Sequence, residues 1–136
     1  MGAGAGFGYS RLRLLLDTHA LIWWLAADRA LGPAARDAIS DPANDIFVSA
    51  ASAWEIATKH RIGKLPEAGL LAGDVGGFVS AQGFIELPVT MQLAGSLPGI
   101  HKDPFDRILV AQAILTDMQI VSRDAILSAY GVARLW

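Results

Sequence analysis

The amino-acid sequence predicts an α/β fold, a three-layer α/β/α sandwich around a mainly parallel central sheet of about five strands. Short apolar runs alternate along the chain with segments of helical periodicity, an order typical of parallel strands joined by crossover helices. The length of 136 residues suffices for one domain with its own core. We therefore expect a single domain over residues 11–136.

The first half of the chain predicts strands and helices in alternation. RLRLLLDT is an apolar run that stops at Asp17 and predicts a strand, and HALIWWLAAD repeats apolar residues near helical spacing. Pro33 predicts the start of a helix over residues 33–41. DIFVSA then predicts a buried strand, followed by a helix from about Ser52 to Arg61 that Gly63 ends.

The second half continues the alternation. Residues 67–82 predict a weaker helix interrupted by glycines, FIELPV a strand that ends with a proline, and TMQLAGSL a short helix. DPFDRILVAQAILTDM predicts the strongest helix of the chain. QIVS predicts a strand, DAILSAYG a last helix that stops at a glycine, and VARLW a final strand.

Composition restricts the class of protein. Hydrophobic residues make up 53% and charged residues 18% of the chain, which indicates a folded protein with much buried surface, including surface buried by a partner. The absence of cysteine excludes disulfides and thiolate metal sites and is compatible with a reducing cytoplasm. No apolar run approaches the roughly 20 residues of a membrane-spanning helix. We expect a soluble, cytoplasmic protein in which residues 1–10, glycine-rich and unlike a secretory signal, form a flexible leader.

Carboxylates from four segments are expected at one edge of the sheet, where parallel α/β folds bind ligands. They are Asp17 after the first strand, Glu55 in the helix after the second, Asp106 at the start of the strongest helix, and Asp124 after QIVS. Crowded carboxylates repel one another, and a hard divalent cation compensates the charge. Magnesium or manganese suits oxygen ligands, and such ions activate water for phosphodiester hydrolysis.

Each acid also has a structural explanation. Asp103 suits the N-cap before Pro104, with Asp106 in a capping-box-like position. Asp124 can cap the helix that follows it, and Glu55 can pair with Lys59 on a solvated helix face. Asp17 is the exception, because Thr18 can meet any capping need there. A charge beside the sheet core is costly unless compensated.

The segments LLDTHALIWWL, VSAASAWEIATKHRIGKL, HKDPFDRILVAQA and IVSRD, in that order and spacing, resemble the PIN-domain family, in particular the VapC-like toxin ribonucleases of VapBC-type toxin–antitoxin pairs. The likeness covers about residues 12–136. It implies that the family's acidic quartet falls on Asp17, Glu55, Asp106 and Asp124 as catalytic metal ligands. It further implies that Asp103 supports them and that Thr18 and Ser122 orient the site.

The resemblance implies an endoribonuclease that depends on Mg²⁺ or Mn²⁺, cuts RNA through metal-activated water, and is inhibited by a cognate VapB-like antitoxin. It also implies a homodimer. Basic residues near the acids are candidates for contacts to RNA phosphates, although cations at a helix C-terminus also favour the helix dipole. These candidates are Lys59, Arg61, Lys102, Arg107 and Arg123.

Other interpretations stay open at this point. One is a phosphoryl-transfer or phospho-accepting α/β domain with Asp17 as the nucleophile. Another is a non-catalytic binding protein whose acids only cap helices. His19 and His101 are interpreted as structural rather than catalytic. Trp23 and Trp24 cannot both face the core, so one is a candidate for a dimer or antitoxin contact.

Overall fold

A computed structural model describes residues 11–94 and 103–136 of the chain. Parallel strands form one five-stranded sheet with the order β3-β2-β1-β4-β5. The strands are β1 (Arg13–Leu16), β2 (Asp45–Ser49), β3 (Ile85–Leu87), β4 (Gln119–Val121) and β5 (Arg134–Leu135). The predicted fold class is confirmed, and every strand pair in the described sheet is parallel. No helix in the described ranges combines the length and apolar character needed to cross a membrane.

The helices lie between the strands as predicted. They are α1 (Thr18–Leu25), α2 (Pro33–Ser40), α3 (Ala50–Arg61), α4 (Val75–Ala81), α5 (Met91–Ala94) and α6 (Pro104–Leu115), with 3-10 helices at Pro66–Gly73 and Ala125–Tyr130. The predicted leader, the end of the predicted TMQLAGSL helix, His101 and Lys102 lie outside the described residues.

Three helical segments differ from the sequence prediction. The helix α3 begins at Ala50 rather than Ser52, because the Ser49 hydroxyl accepts a hydrogen bond from the Ala51 N–H at 3.0 Å and caps it. The weak helix predicted over 67–82 is two elements, the 3-10 helix that ends at Gly73 and α4, because Asp74 between them has an extended φ of −158°; Gly69, with a φ of 41°, kinks the first element. The last helix is a 3-10 helix that ends at a left-handed glycine.

Alternating residues of the central strand pack on opposite faces of the sheet. Leu14 and Leu16 belong to a core cluster that includes Leu21, Ile39 and Ile56 from α1, α2 and α3. Leu15 belongs to a second cluster with residues of α6, including Leu109 and Val110. A strand buried on both faces requires a helical layer on each side. The three-layer arrangement follows from this alternation.

The central strands end side by side. Leu16 of β1 pairs with Val48 of β2 and with Val121 of β4. The Asp17 N–H continues the ladder by donating to the Val121 carbonyl at 3.0 Å. Because the strands are parallel, the residues that follow them lie at the same edge of the sheet. This edge holds the candidate site.

Candidate functional site

Asp17 lies between the end of β1 and the start of α1. Its carboxylate accepts a hydrogen bond from the Ala20 N–H at 2.8 Å and caps α1. The expectation that Thr18 would meet any capping need was wrong, because Thr18 is already inside the helix and its hydroxyl is turned towards Glu55. Capping and a functional role therefore fall on the same carboxylate.

The electrostatic environment of Asp17 disfavours its charge. Burial raises the pKa of Asp17 above its ordinary value, and the nearby charge of Glu55 raises it further. Hydrogen bonds from the Ser122 hydroxyl and the Ala20 N–H, and the charge of His19, oppose this rise only in part. No salt bridge within residues 11–94 and 103–136 involves Asp17. A cation bound beside Asp17 would relieve this cost.

Ser122 connects two of the predicted acids. It is completely buried at the end of β4. Its hydroxyl donates to the Asp17 carboxylate and accepts a hydrogen bond from the Asp124 N–H at 3.0 Å. The serine thus fixes the Asp17 side chain and the backbone that carries Asp124 relative to each other.

Glu55 is a buried carboxylate on α3, with only 4% of the residue exposed. The Thr18 hydroxyl donates to Glu55 Oε1 at 2.5 Å and lies 3.2 Å from the Ser52 hydroxyl. Lys59 Nζ donates to the other carboxylate oxygen, Oε2, at 2.5 Å. The pair with Lys59 that the structural explanation of Glu55 required does form, but not on a solvated helix face, because the helix turns Glu55 towards α1 and the sheet edge.

Lys59 supplies a positive charge among several acids. Besides the contact with Glu55, its ammonium lies 3.8 Å from Asp103 Oδ2. Partial burial lowers the pKa of Lys59, but the hydrogen bond and charge of Glu55, with the charges of Asp103 and Asp106, raise it above the ordinary value. In the absence of metal, Lys59 is the cation that compensates this part of the site.

Asp103 and Asp106 lie at the start of α6. Asp103 Oδ1 accepts hydrogen bonds from the N–H groups of Phe105, at 2.9 Å, and Asp106, at 3.4 Å, so the predicted cap is confirmed. Asp106 lies in the first helical turn, is half-buried, and acts electrostatically on Lys59. The charge of Lys59 therefore links α6 to Glu55 on α3.

Asp124 caps the 3-10 helix that follows β4, with Oδ1 accepting from the Ile126 N–H at 3.0 Å. Together with Asp17, it lines an open cavity of about 230 Å³. The other residues that line the cavity are His19, Trp23 and Arg123. Asp124 therefore caps a helix, as its structural explanation predicted. It also lies beside Asp17 in the cavity, and its role as a metal ligand stays a prediction.

The predicted acids are linked pairwise along this edge. Asp17 and Asp124 share the cavity, the charge of Glu55 acts on Asp17, and the charges of Glu55 and Asp106 both act on Lys59. In the described part of the chain, no group of three or more acidic or histidine side chains has the arrangement of a metal site. The donors themselves, all carboxylate oxygens, include the half-buried Asp17, which has no salt bridge among the described residues, and their chemistry fits a hard divalent cation.

The predicted RNA contacts have different surroundings. Arg123 is exposed and its guanidinium lies 4.8 Å from the ring centroid of Trp23. Arg107, next to Asp106, has a buried Nε that lacks a hydrogen-bond partner among the described residues. Arg61 is exposed in the last turn of α3. Lys59 is largely engaged with Glu55, and Lys102 lies outside the described residues.

Sequence reasoning missed two features of this edge. Ser52 is buried and contacts the Thr18 hydroxyl, and its position three residues before Glu55 on a helix was the available signal. The cavity beside Asp17 was also missed, because it needs Trp23 to turn towards Arg123. Trp23 and Trp24 are both half-buried, with Trp23 against His19 and Trp136, and Trp24 against Phe84.

The fold and this edge define an α/β protein with carboxylates gathered where parallel strands end. The model of the PIN domain family matches residues 14–133, and the chain belongs to that family. No curated protein matches the chain.

Two solved structures share the fold. The chain is similar to a structure of VapBC2 from Rickettsia felis bound to a DNA fragment from its promoter, with 12% identity, a TM-score of 0.61, and coverage of 90% of this chain and 97% of the other. It is also similar to a domain of a functionally unknown protein from Methanocaldococcus jannaschii, with 13% identity, a TM-score of 0.52, and coverage of 90% and 89%. At these identities the likeness concerns the fold alone.

Proposed function

We propose that the protein is an endoribonuclease that depends on Mg²⁺ or Mn²⁺ and acts as the toxin of a toxin–antitoxin pair. The observation that carries the proposal is the half-buried Asp17 carboxylate, whose pKa is raised by desolvation, which lacks an ion pair within the described residues and lies at the carboxyl edge of a PIN-domain sheet. A partly desolvated charge of this kind is costly unless a cation binds beside it.

The residues that would hold the ion are Asp17, Glu55, Asp106 and Asp124. A bound divalent ion would supply charge neutralisation at the phosphodiester and a nucleophile at neutral pH. The chain's own groups prepare the ligands: Thr18 holds Glu55 through one oxygen, and Ser122 holds Asp17. Asp103 supports the start of α6, which carries Asp106.

Basic residues around the acids would hold the RNA strand. Arg123 borders the cavity beside Asp17, Arg107 follows Asp106, and Arg61 is exposed at the end of α3. Arginine suits phosphate because its planar group donates several parallel hydrogen bonds. Lys59 and Lys102 complete the proposed set. Lys59 would turn from Glu55 towards the substrate once a metal ion compensates the acids.

The proposed partner is a VapB-like antitoxin that covers the site. The support is the shared fold with VapBC2 of Rickettsia felis, which was solved bound to a DNA fragment from its promoter. We further propose a homodimer that acts in the cytoplasm, where the RNA substrate is.

The antitoxin partner is tested by co-expression with the product of the neighbouring reading frame, which should co-purify with the chain and suppress RNA cleavage.

The activity is tested by incubating purified protein with total RNA and Mg²⁺ or Mn²⁺ and mapping the ends. We expect cleavage that leaves 5′-phosphate and 3′-hydroxyl ends, and its loss in chelator and in Asp17→Ala. Asp74→Ala is the matched control, because Asp74 also caps a helix, α4, but is exposed and lies outside the predicted set. Cleavage that persists unchanged in Asp17→Ala or in excess chelator would falsify the proposal. A stable acyl phosphate on Asp17 would indicate a phospho-accepting domain instead.

A further inference from the structure

The cavity beside Asp17 is walled by flat side chains. Its lining combines the imidazole of His19, the indole of Trp23 and the guanidinium of Arg123 with the carboxylates of Asp17 and Asp124. The carboxylates are predicted metal ligands and Arg123 is a proposed RNA contact, whereas His19 and Trp23 have no part in the proposed chemistry. The cavity has a volume of about 230 Å³ and is open to solvent on one side.

Trp23 forms the fixed wall of this cavity. It is half-buried, packs against the core below α1, and its ring contacts the ring of Trp136 edge-on at 5.7 Å between centroids. His19 lies one helical turn before it, with 5.4 Å between the ring centroids and 43° between the planes. Arg123 covers the indole at 4.8 Å. His19 and Arg123 are exposed, so they can move around a fixed indole.

The chemistry of the lining favours a nucleobase over a phosphate. Indole, imidazole and guanidinium planes all stack on nucleobases, and this stacking does not depend on which base is present. The phosphate that is cut would bind at the metal ion held by Asp17 and Asp124, and on the remaining wall Arg123 is the only lysine or arginine among the described lining residues, which leaves little charge there for a second phosphate.

We infer that the cavity formed by His19, Trp23 and Arg123 receives an unstacked nucleobase of the RNA strand, next to the phosphodiester that is cut. The inference rests on the proposed ribonuclease function and assigns a subsite to it. Because the same cavity contains Asp17 and Asp124, a base held there would fix the register of the strand relative to the proposed metal ligands.

The test uses a short RNA that contains the cleavage site mapped in total RNA. Single abasic nucleotides, which keep the sugar and phosphate, are placed in turn at each position around the cut. We expect one position adjacent to the cut to lower kcat/KM about tenfold, mainly through KM, as the loss of one stacked base predicts. In Trp23→Leu and in His19→Ala, intact RNA should be cut with a similarly raised KM, and the abasic position should make no further difference.

Trp24→Leu is the matched control, because Trp24 is also half-buried in α1 but contacts Phe84 and Gln82 away from the cavity. It should keep the abasic penalty. His19 is exposed, so His19→Ala remains informative if Trp23→Leu fails to fold. Cleavage that is insensitive to abasic nucleotides, or a penalty undiminished in both cavity variants, overturns the nucleobase site alone. Failure to cut intact RNA at all overturns the proposed function, and the subsite with it.

Discussion

The Thr18 hydroxyl and Glu55 Oε1 are joined by a hydrogen bond of 2.5 Å between two side chains that are each only 4% exposed. The bond connects the first turn of α1 to the middle of α3. It therefore holds together the elements that carry the predicted ligands Asp17 and Glu55.

Thr18→Val should remove this bond with almost no change in shape. A buried carboxylate oxygen would then lack its donor, and we expect a loss of about 1–3 kcal/mol in the free energy of unfolding, together with weaker RNA cleavage. Thr18→Ser keeps the donor and should restore most of both properties. Urea denaturation and initial cleavage rates provide the measurements, and equal behaviour of the two variants would contradict this role of the hydroxyl.

Lys59→Met should destabilise the metal-free protein by about 1–3 kcal/mol, because a largely buried carboxylate loses its counter-charge while residual solvent exposure moderates the cost. Added Mn²⁺ should stabilise this variant more than wild type, since no ammonium competes for the acids. Thermal denaturation with and without Mn²⁺ measures both effects. Lys64→Met, at an exposed lysine just beyond α3, is the control. The same Mn²⁺ shift in all three proteins would rule out competition between Lys59 and the ion.

Asp17→Asn should stabilise the metal-free protein at neutral pH. The folded-state pKa of Asp17 is raised above its ordinary value, so wild-type stability falls as pH rises through the folded pKa. Asparagine also caps helices well, and the variant removes the charge while keeping the cap. The stabilities of the two proteins should converge below about pH 3, where the wild-type Asp17 carboxyl is protonated in both the folded and the unfolded state. Added Mg²⁺ should stabilise only wild type.

The control for this comparison is Asp74→Asn, which changes an exposed cap. It should alter stability little and without this pH dependence. If Asp17→Asn is less stable than wild type at pH 7 and unchanged at pH 3, the unfavourable charge on Asp17 is refuted.

Ser122→Ala should raise the pKa of Asp17 further, because the serine donates the hydrogen bond that favours the charged carboxylate. It should also cost about 1–2 kcal/mol of stability, since the Asp124 N–H loses its acceptor. Carboxyl resonances followed by NMR across the acidic range report the titration. Ser128→Ala, at an exposed serine on the neighbouring 3-10 helix, should leave the Asp17 titration unchanged. An unchanged midpoint in Ser122→Ala would contradict the proposed contact.

Local signals explain why the sheet and its helices could be predicted. An apolar run such as LRLLL has few alternatives to a buried strand, and Asp103 before Pro104 combines a capping side chain with a residue suited to the first helical turn. The sequence also places Asp17 and Asp124 just after the ends of strands. Parallel pairing then brings those ends together, whatever the loops do.

The environment of each acid could not be predicted in the same way. Whether Glu55 faces water or the sheet edge depends on how α3 is rotated against α1, and that rotation is set by packing around Ile56 and Leu21 rather than by local pattern. The same holds for Ser52. The type of the last helix could not be predicted from the sequence either. The same residue types favour 3-10 and α-helical turns, which differ mainly in their hydrogen bonding.

The position of β1 between β2 and β4 has a consequence for synthesis. Leu16 emerges from the ribosome well before its partner Val121 and the buried Ser122 are translated. Such distant pairing closes late in folding. A nascent chain therefore carries Asp17 without the neighbours that orient it, and any nuclease activity waits until the later strand has been made and has docked.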